Sequence, residues 1–275
     1  MKYFRAVVIT IFIIVSLVFV YNWMQFKNSL DTRGPEFHMS EKLLKLSVDA
    51  KDADYLKNIE AVDDKDGNIT GNIVVESISK FVDRKKHISN VTYVVEDSDK
   101  NVAKITRKVE FVDYRSPKFK LSKPLCLRTG EDEKVIDILG ATDVFDGDIS
   151  NRVKILSTSF STRSSGDSTV IAQVTNNLGD TAKIKAHVLI KEENTKAPVI
   201  NLTDNIIYLK VKDRFFEKKY VASVKSEGRT MSPRGVKVAS SNVNMKKPGC
   251  YNVIYVVNEG RTNESTTNLT VVVEE

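Results

Sequence analysis

One tryptophan, two cysteines, six prolines and twelve glycines are all that this 275-residue chain carries of those four types. So little proline and glycine excludes a collagen-like or low-complexity architecture. Cys126 and Cys250 match no zinc or redox spacing. They stand as two thiols or as a single disulfide. The three histidines, His38, His87 and His187, are far apart and form no H-x-x-x-H or H-E-x-x-H pair. There is no Gly-rich phosphate loop and no G-x-S-x-G turn. Ser77-Ile78-Ser79-Lys80 fits S-x-x-K but lacks the SDN and KTG companions of a serine nucleophile. The net charge is +6, yet lysines alternate with acids and no basic block is interleaved with aromatics. Nucleic acid is therefore not an expected partner, and the chain is not expected to be an enzyme.

What is present begins at the N-terminus. Ala6 to Phe26 (AVVITIFIIVSLVFVYNWMQF) carries no charge. As a helix it would span roughly 31 Å, the thickness of a bilayer core. Tyr21 and Trp23 stand at its far end, where amphipathic rings favour the interface. Lys2 and Arg5 precede it, so the positive-inside rule puts the N-terminus in the cytoplasm and the remainder outside. A cleaved signal peptide would end in small residues, whereas VFVYNWMQF is bulky throughout. The expectation is an uncleaved transmembrane signal anchor over 1–27, then a linker over 28–32.

Beyond Lys27 the pattern has period two. NVTYVVED, AKITRKVEFV, TVIAQVTN and YNVIYVVN alternate apolar with polar residues and are rich in Val, Ile, Thr and Tyr, the pattern of half-buried strands. The chain also repeats itself. AVDDKDGNIT at Ala61–Thr70 returns as ATDVFDGDIS at Ala141–Ser150. Pro35 with Phe37 returns as Pro117 with Phe119 and as Pro198 with Ile200. Three units follow, 33–113, 114–192 and 196–275. Their size and short strands predict an all-β chain of three tandem immunoglobulin-like β-sandwich domains after one N-terminal transmembrane helix. Short connections between them predict a rod on the order of 100 Å. A count of 161 from Ala61 sets Val224 where Asp63 stands, so the third acidic turn reads as degenerate.

An X-Pro-hydrophobic opening, the A-x-D-x-x-D-G-[DN]-I-[TS] element and the Pro248-Gly249-Cys250-Tyr251-Asn252-Val253-Ile254-Tyr255 strand together resemble a bacterial Ig-like repeat. The family meant is the one named for the Ig-like domain of a pesticidal crystal protein. The resemblance implies display on a Gram-positive cell surface.

The acidic element has three readings. Asp63, Asp66 and Asn68, and likewise Asp143, Asp146 and Asp148, can accept backbone N–H bonds in a turn whose glycine supplies positive φ. They can also offer oxygens to Ca²⁺, although the EF-hand spacing is not met. Paired-carboxylate hydrolysis needs a deep cleft that a sandwich turn does not offer. Outside the acidic turns, the basic stretch KSEGRTMSPR, with Lys225, Arg229 and Arg234, is the candidate partner contact.

The function expected is non-catalytic: adhesion, binding or spacing at a bacterial surface, held by the membrane helix, with no cofactor unless the turns take Ca²⁺. Covalent wall attachment is not expected, since no LPxTG-like motif follows Val273. The partner would be a surface protein or a wall glycopolymer. The alternative is a carbohydrate-binding module, which would have to stack sugars on tyrosines such as Tyr208, Tyr220 and Tyr251. A surface hydrolase is the remaining alternative.

Overall fold

The computed structural model describes residues 2–29, 33–130, 134–159, 164–192, 194, 197–259 and 263–275. Most of the expected linker (30–32) and residue 196, the expected start of the third unit, lie outside them. The chain is all-β, with three tandem immunoglobulin-like β-sandwiches after one N-terminal helix. It divides into two compact units, 1–113 and 114–275.

In the first unit, helix α1 (Lys2–Ser29) runs 28 residues, about 42 Å at 1.5 Å per residue. Its apolar side chains are exposed; Phe12, Leu17 and Phe19 each show about two thirds of their surface. Among the described residues it is the one helix long and apolar enough to cross a membrane, and none of it is buried against the rest of the chain.

The first sandwich has strands β1 (Glu36–Met39), β2 (Leu43–Leu46), β3 (Ile59–Asp63), β4 (Gly67–Asn68), β5 (Val74–Asp83), β6 (Ile88–Glu96) and β7 (Val102–Phe111). One sheet has the order β1-β3-β4 and the other β2-β7-β6-β5. The chain opens in one sheet and crosses to the other, where β2 lies parallel to the last strand, β7. Alternation decides which faces are buried. Val91, Tyr93 and Val95 point inward from β6, and Val109 and Phe111 from β7, all at 1% exposure or less.

The same topology recurs twice. The second sandwich comprises β8 (Lys118–Leu121), β9 (Cys126–Arg128), β10 (Leu139–Asp143), β11 (Gly147–Asp148), β12 (Lys154–Thr158), β13 (Gly166–Thr175) and β14 (Thr181–Lys191). The third comprises β15 (Val199–Leu202), β16 (Ile206–Lys210), β17 (Val221–Ser226), β18 (Arg229–Met231), β19 (Lys237–Ser241), β20 (Gly249–Glu259) and β21 (Asn263–Glu274). Even a bulge repeats, between Val75 and Ser77, Ile155 and Ser157, and Val238 and Ser240. It bends each edge strand, a device that discourages edge-to-edge aggregation.

Strand register corrects the alignment of the third copy. Phe37 faces Ala61, Phe119 faces Ala141 and Ile200 faces Val224. Val224 therefore holds the place of Ala61, and Ser226, not Val224, holds the place of Asp63. The fixed count failed because loop lengths drift: the first and third copies place 24 positions between these partners, the second 22.

Sandwiches 2 and 3 do not follow one another in line. Their contacts run along β21, from Cys126 Sγ on the Thr266 carbonyl (3.7 Å) to Lys118 Nζ on Glu274 (3.0 Å). That stretch is about 26 Å of strand. Between those ends, Asn268 Nδ2 donates to the His187 carbonyl, Tyr208 to the Phe119 carbonyl, and Asn205 Nδ2 to the Leu121 carbonyl. Ile206, Cys250 and Val272 pack against the core of sandwich 2. The rod expectation fails for this pair because these side chains give sandwich 3 an apolar flank that needs covering.

Candidate functional sites

Each acidic element is a hairpin turn closed by its own hydrogen bonds. Asp63 Oδ1 accepts the backbone N–H of Lys65 and of Asp66, both at 2.9 Å. Asp143 Oδ1 does the same for Phe145 and Asp146, also at 2.9 Å. Gly67 and Gly147 then turn the chain at φ +71° with open space where a Cβ would stand. Asn68 and Asp148 each accept the N–H two residues on, from Thr70 and Ser150. Those hydroxyls in turn accept the N–H of Ala61 and Ala141.

The middle acids tie the turn to a second loop. Asp66 accepts the Ser98 N–H (2.7 Å) and hydroxyl. Asp146 accepts the Asn177 N–H (2.7 Å) and side-chain amide, and pairs with Arg152 at 2.8 Å. Asp148 pairs with Lys120 at 2.6 Å. That ammonium, with the Ser150 hydroxyl, holds its carboxyl well below the usual range. The candidate calcium ligands are thus spread around each turn, with most of their oxygens, Asp63 Oδ2 excepted, committed to turn donors and ion pairs. Among the described residues no three acidic, His or Cys side chains gather as a metal set.

One position differs between the copies. In sandwich 2, Asp143 Oδ2 accepts the Asn176 amide at 3.0 Å. Asn176 also donates to Tyr114, whose hydroxyl donates to Asp180 at 2.9 Å. Burial, then Asp180, pushes the Tyr114 hydroxyl up. In sandwich 3 the Ser226 hydroxyl donates to Glu259. In sandwich 1 Asp63 is 4% exposed and its Oδ2 has no partner. The residue standing at the place of Asn176 is Asp97, also 4% exposed.

Sandwich 1 also buries a charge that the sequence reading missed. Arg107 is 1% exposed. Its guanidinium donates to the carbonyls of Lys57 (2.7 Å) and Tyr55 and to the Tyr93 hydroxyl (2.9 Å). Strict alternation of Ile105, Arg107, Val109 and Phe111 was the available signal.

Lys225, Arg229 and Arg234 are all exposed, on the β17–β18 hairpin and the turn after it. Glu227 and Gly228 make that hairpin a two-residue turn with positive φ at both positions. Of the tyrosines considered for sugar stacking, Tyr208 is engaged between sandwiches 2 and 3. Tyr251 donates to the Lys247 carbonyl, and Tyr220 stacks on Phe215 at 5.8 Å. Phe216, beside that stack, is 63% exposed. Cys126 and Cys250 form no disulfide with each other. An open cleft of about 1200 Å³ lies between sandwiches 2 and 3, bordered by the sheet edges β9 and β15.

No family model and no curated protein matches the chain. Solved structures with some likeness include the CBM51-2 and INT domains of ZmpB from Clostridium perfringens, at 17% identity and a TM-score of 0.27 over 56% of this chain and 41% of that one. Drosophila N-cadherin EC1-4 is 10% identical, with a TM-score of 0.27 over 85% of this chain and 73% of that one. The chain spans 26% and 30% of two longer ZmpB structures, one of CBM51-2 with GlcNAc and INT domains and one with the M60 catalytic domain.

Proposed function

We propose that this chain is a non-catalytic, single-pass membrane protein that presents three Ig-like domains at a bacterial cell surface for adhesion, binding or spacing, and that it belongs with the bacterial Ig-like repeats its motifs resemble. The carrying observation is α1, whose stretch from Ala6 to Phe26 is uncharged and is covered by nothing among the described residues, placed before the sandwiches. A bilayer would cover it at the favourable cost of apolar transfer. The N-terminus lies in the cytoplasm and the sandwiches outside. The acidic turns support a non-catalytic reading because their carboxylates are held by turn donors. Lys225, Arg229 and Arg234 form the contact surface for an acidic partner.

A wall glycopolymer is the second reading. Phe216 favours it, an exposed ring with exposed Lys218 and Lys219 two and three residues further along the chain. An exposed ring on a lysine-bearing stretch suits an anionic saccharide.

Two measurements test these readings. The full chain should stay in the membrane pellet after alkaline carbonate extraction, with the sandwiches cut by protease added outside; release by carbonate overturns the anchor. Residues 33–275 should bind purified Gram-positive envelopes saturably. Phe216→Ala should weaken that retention if the polymer is the partner, and reversal of Lys225, Arg229 and Arg234 if the basic hairpin is the contact. No retention at all would remove polymer binding and leave spacing or a protein partner.

A further inference from the structure

Sandwich 3 gathers positive charge at one end. Two loops close that end: 211–220, between β16 and β17, and 242–248, between β19 and β20. The Lys212 N–H donates to the Met245 carbonyl at 2.8 Å and ties one loop to the other. Val211, Phe215, Val243 and Met245 pack from these loops onto the core of the sandwich. Between them the loops present Lys212, Arg214, Lys218, Lys219, Lys246 and Lys247, all exposed. None of these six side chains has a hydrogen-bond or ion-pair partner among the described residues. Sandwich 1, by contrast, engages Lys45, Lys57, Lys65, Lys100 and Lys104 in ion pairs.

The acids of this end do not neutralise the six. Asp213 accepts the Lys210 backbone N–H at 2.7 Å, and Glu274 pairs with Lys118 of sandwich 2. Asp204, Glu217 and Glu275 form no ion pair among the described residues.

An aromatic ring shares the patch. Phe216, at 63%, is the one mostly exposed ring outside α1 among the described residues. The turn that presents it is fixed on both sides: Phe215 stacks on Tyr220 at 5.8 Å, and the Glu217 carbonyl accepts the Tyr255 hydroxyl at 2.5 Å. The hairpin with Lys225, Arg229 and Arg234 belongs to the other end of the sandwich. Its Ser226 reaches Glu259, while the loops above adjoin Gly249, at the opposite end of β20 and about 34 Å of strand away.

We propose that this end of sandwich 3 binds a linear glycopolymer with phosphodiesters recurring along its backbone. Five of the six cations are lysines, compact point charges that suit phosphate, whereas planar carboxylates favour the fork of arginine. Cations spread over two loops match charges that recur along a chain, and the apolar face of a sugar packs on Phe216. The proposal rests on the wall-polymer reading and gives that polymer a chemistry and a place.

The test titrates the full chain, in neutral detergent micelles, with poly(ribitol phosphate) bearing glucose. Binding should be saturable and weaken with salt. The log–log slope should be about 4 if all six cations engage, and Lys246→Ala with Lys247→Ala should lower it by about 1.4. Phe216→Ala should weaken binding several-fold with the slope unchanged, and should leave binding of inorganic polyphosphate, which has no sugar, as it was. Neutralising Arg84, Lys85 and Lys86, an exposed basic run in sandwich 1, should change nothing; an equal loss there would show general charge attraction and overturn the proposal. Equal or tighter binding of polygalacturonate would overturn the phosphodiester, and tighter binding of oligo(dT) the saccharide. Loss on neutralising only Lys225, Arg229 and Arg234 would overturn the place and leave the wall-polymer reading standing. Envelope retention without binding of the phosphodiester polymer would likewise strike this chemistry alone, whereas absence of both would remove the wall-polymer reading with it.

Discussion

Arg107 is a full charge with no carboxylate among its hydrogen-bond partners, held by two carbonyls and a hydroxyl. Removing it leaves those carbonyls without a donor and opens a cavity. Arg107→Ala should cost about 3–5 kcal/mol of sandwich 1 stability, read by urea unfolding. Arg107→Met should cost less, because it keeps most of the volume; equal losses would show that the lost hydrogen bonds, not the cavity, set the cost. Sandwiches 2 and 3 place Ala186 and Leu269 at this position, opposite Val170 and Val253 as Arg107 is opposite Val91. Cys250 gives a pH effect. Burial pushes its thiol up to about 12. The folded state therefore keeps the thiol neutral while the unfolded chain ionises near pH 9, so stability is fully present below pH 9 and falls as pH rises towards 12. Cys250→Ala should flatten that fall by up to about 1.4 kcal/mol per pH unit. An unchanged slope would mean that other groups, such as the half-buried Tyr208, whose hydroxyl burial also raises, carry the effect alone.

At the scale of the turn, one hairpin was built twice and replaced once. Gly67 and Gly147 sit at positive φ with open space around them, so the cost of a side chain there is purely that of the backbone. Gly67→Ala and Gly147→Ala should each lose about 1–2 kcal/mol, and Asn should lose less than Ala. In sandwich 3 Glu227 occupies φ +46° in a two-residue turn. Glu227→Asn creates the Asn-Gly pair such turns favour and should gain about 0.5–1 kcal/mol by thermal melting. The repeated acidic element, its turn role and the strand alternation were all legible, because each is a local pattern of a few residues. The third turn was misplaced by two residues, since a count along the chain cannot see a loop shorten. Register across strands, which sets Ile200 against Val224, is a pairing that no single stretch records.

For the molecule, the number of sandwiches could be read but the packing of the second on the third could not. Its determinants are single residues scattered over strands: Asn205, Ile206, Tyr208, Cys250, Val272. Each looks like an ordinary strand residue in its own stretch. Because Ile206, Cys250 and Val272 pack on the core of sandwich 2, the two sandwiches should unfold in one calorimetric transition. Val272→Asp would bury a charge there and should split it into two; a single transition in both proteins would show the coupling runs elsewhere.

The parallel pairing of each sandwich's second strand with its last has a mechanical side. β2 lies along β7, β9 along β14, and β16 along β21. When the chain is pulled from its two ends, strands that run the same way slide past each other. All the bonds of the patch are then strained at once instead of peeling open one by one. A tether built this way holds its domains shut under drag and yields only when a whole patch fails together.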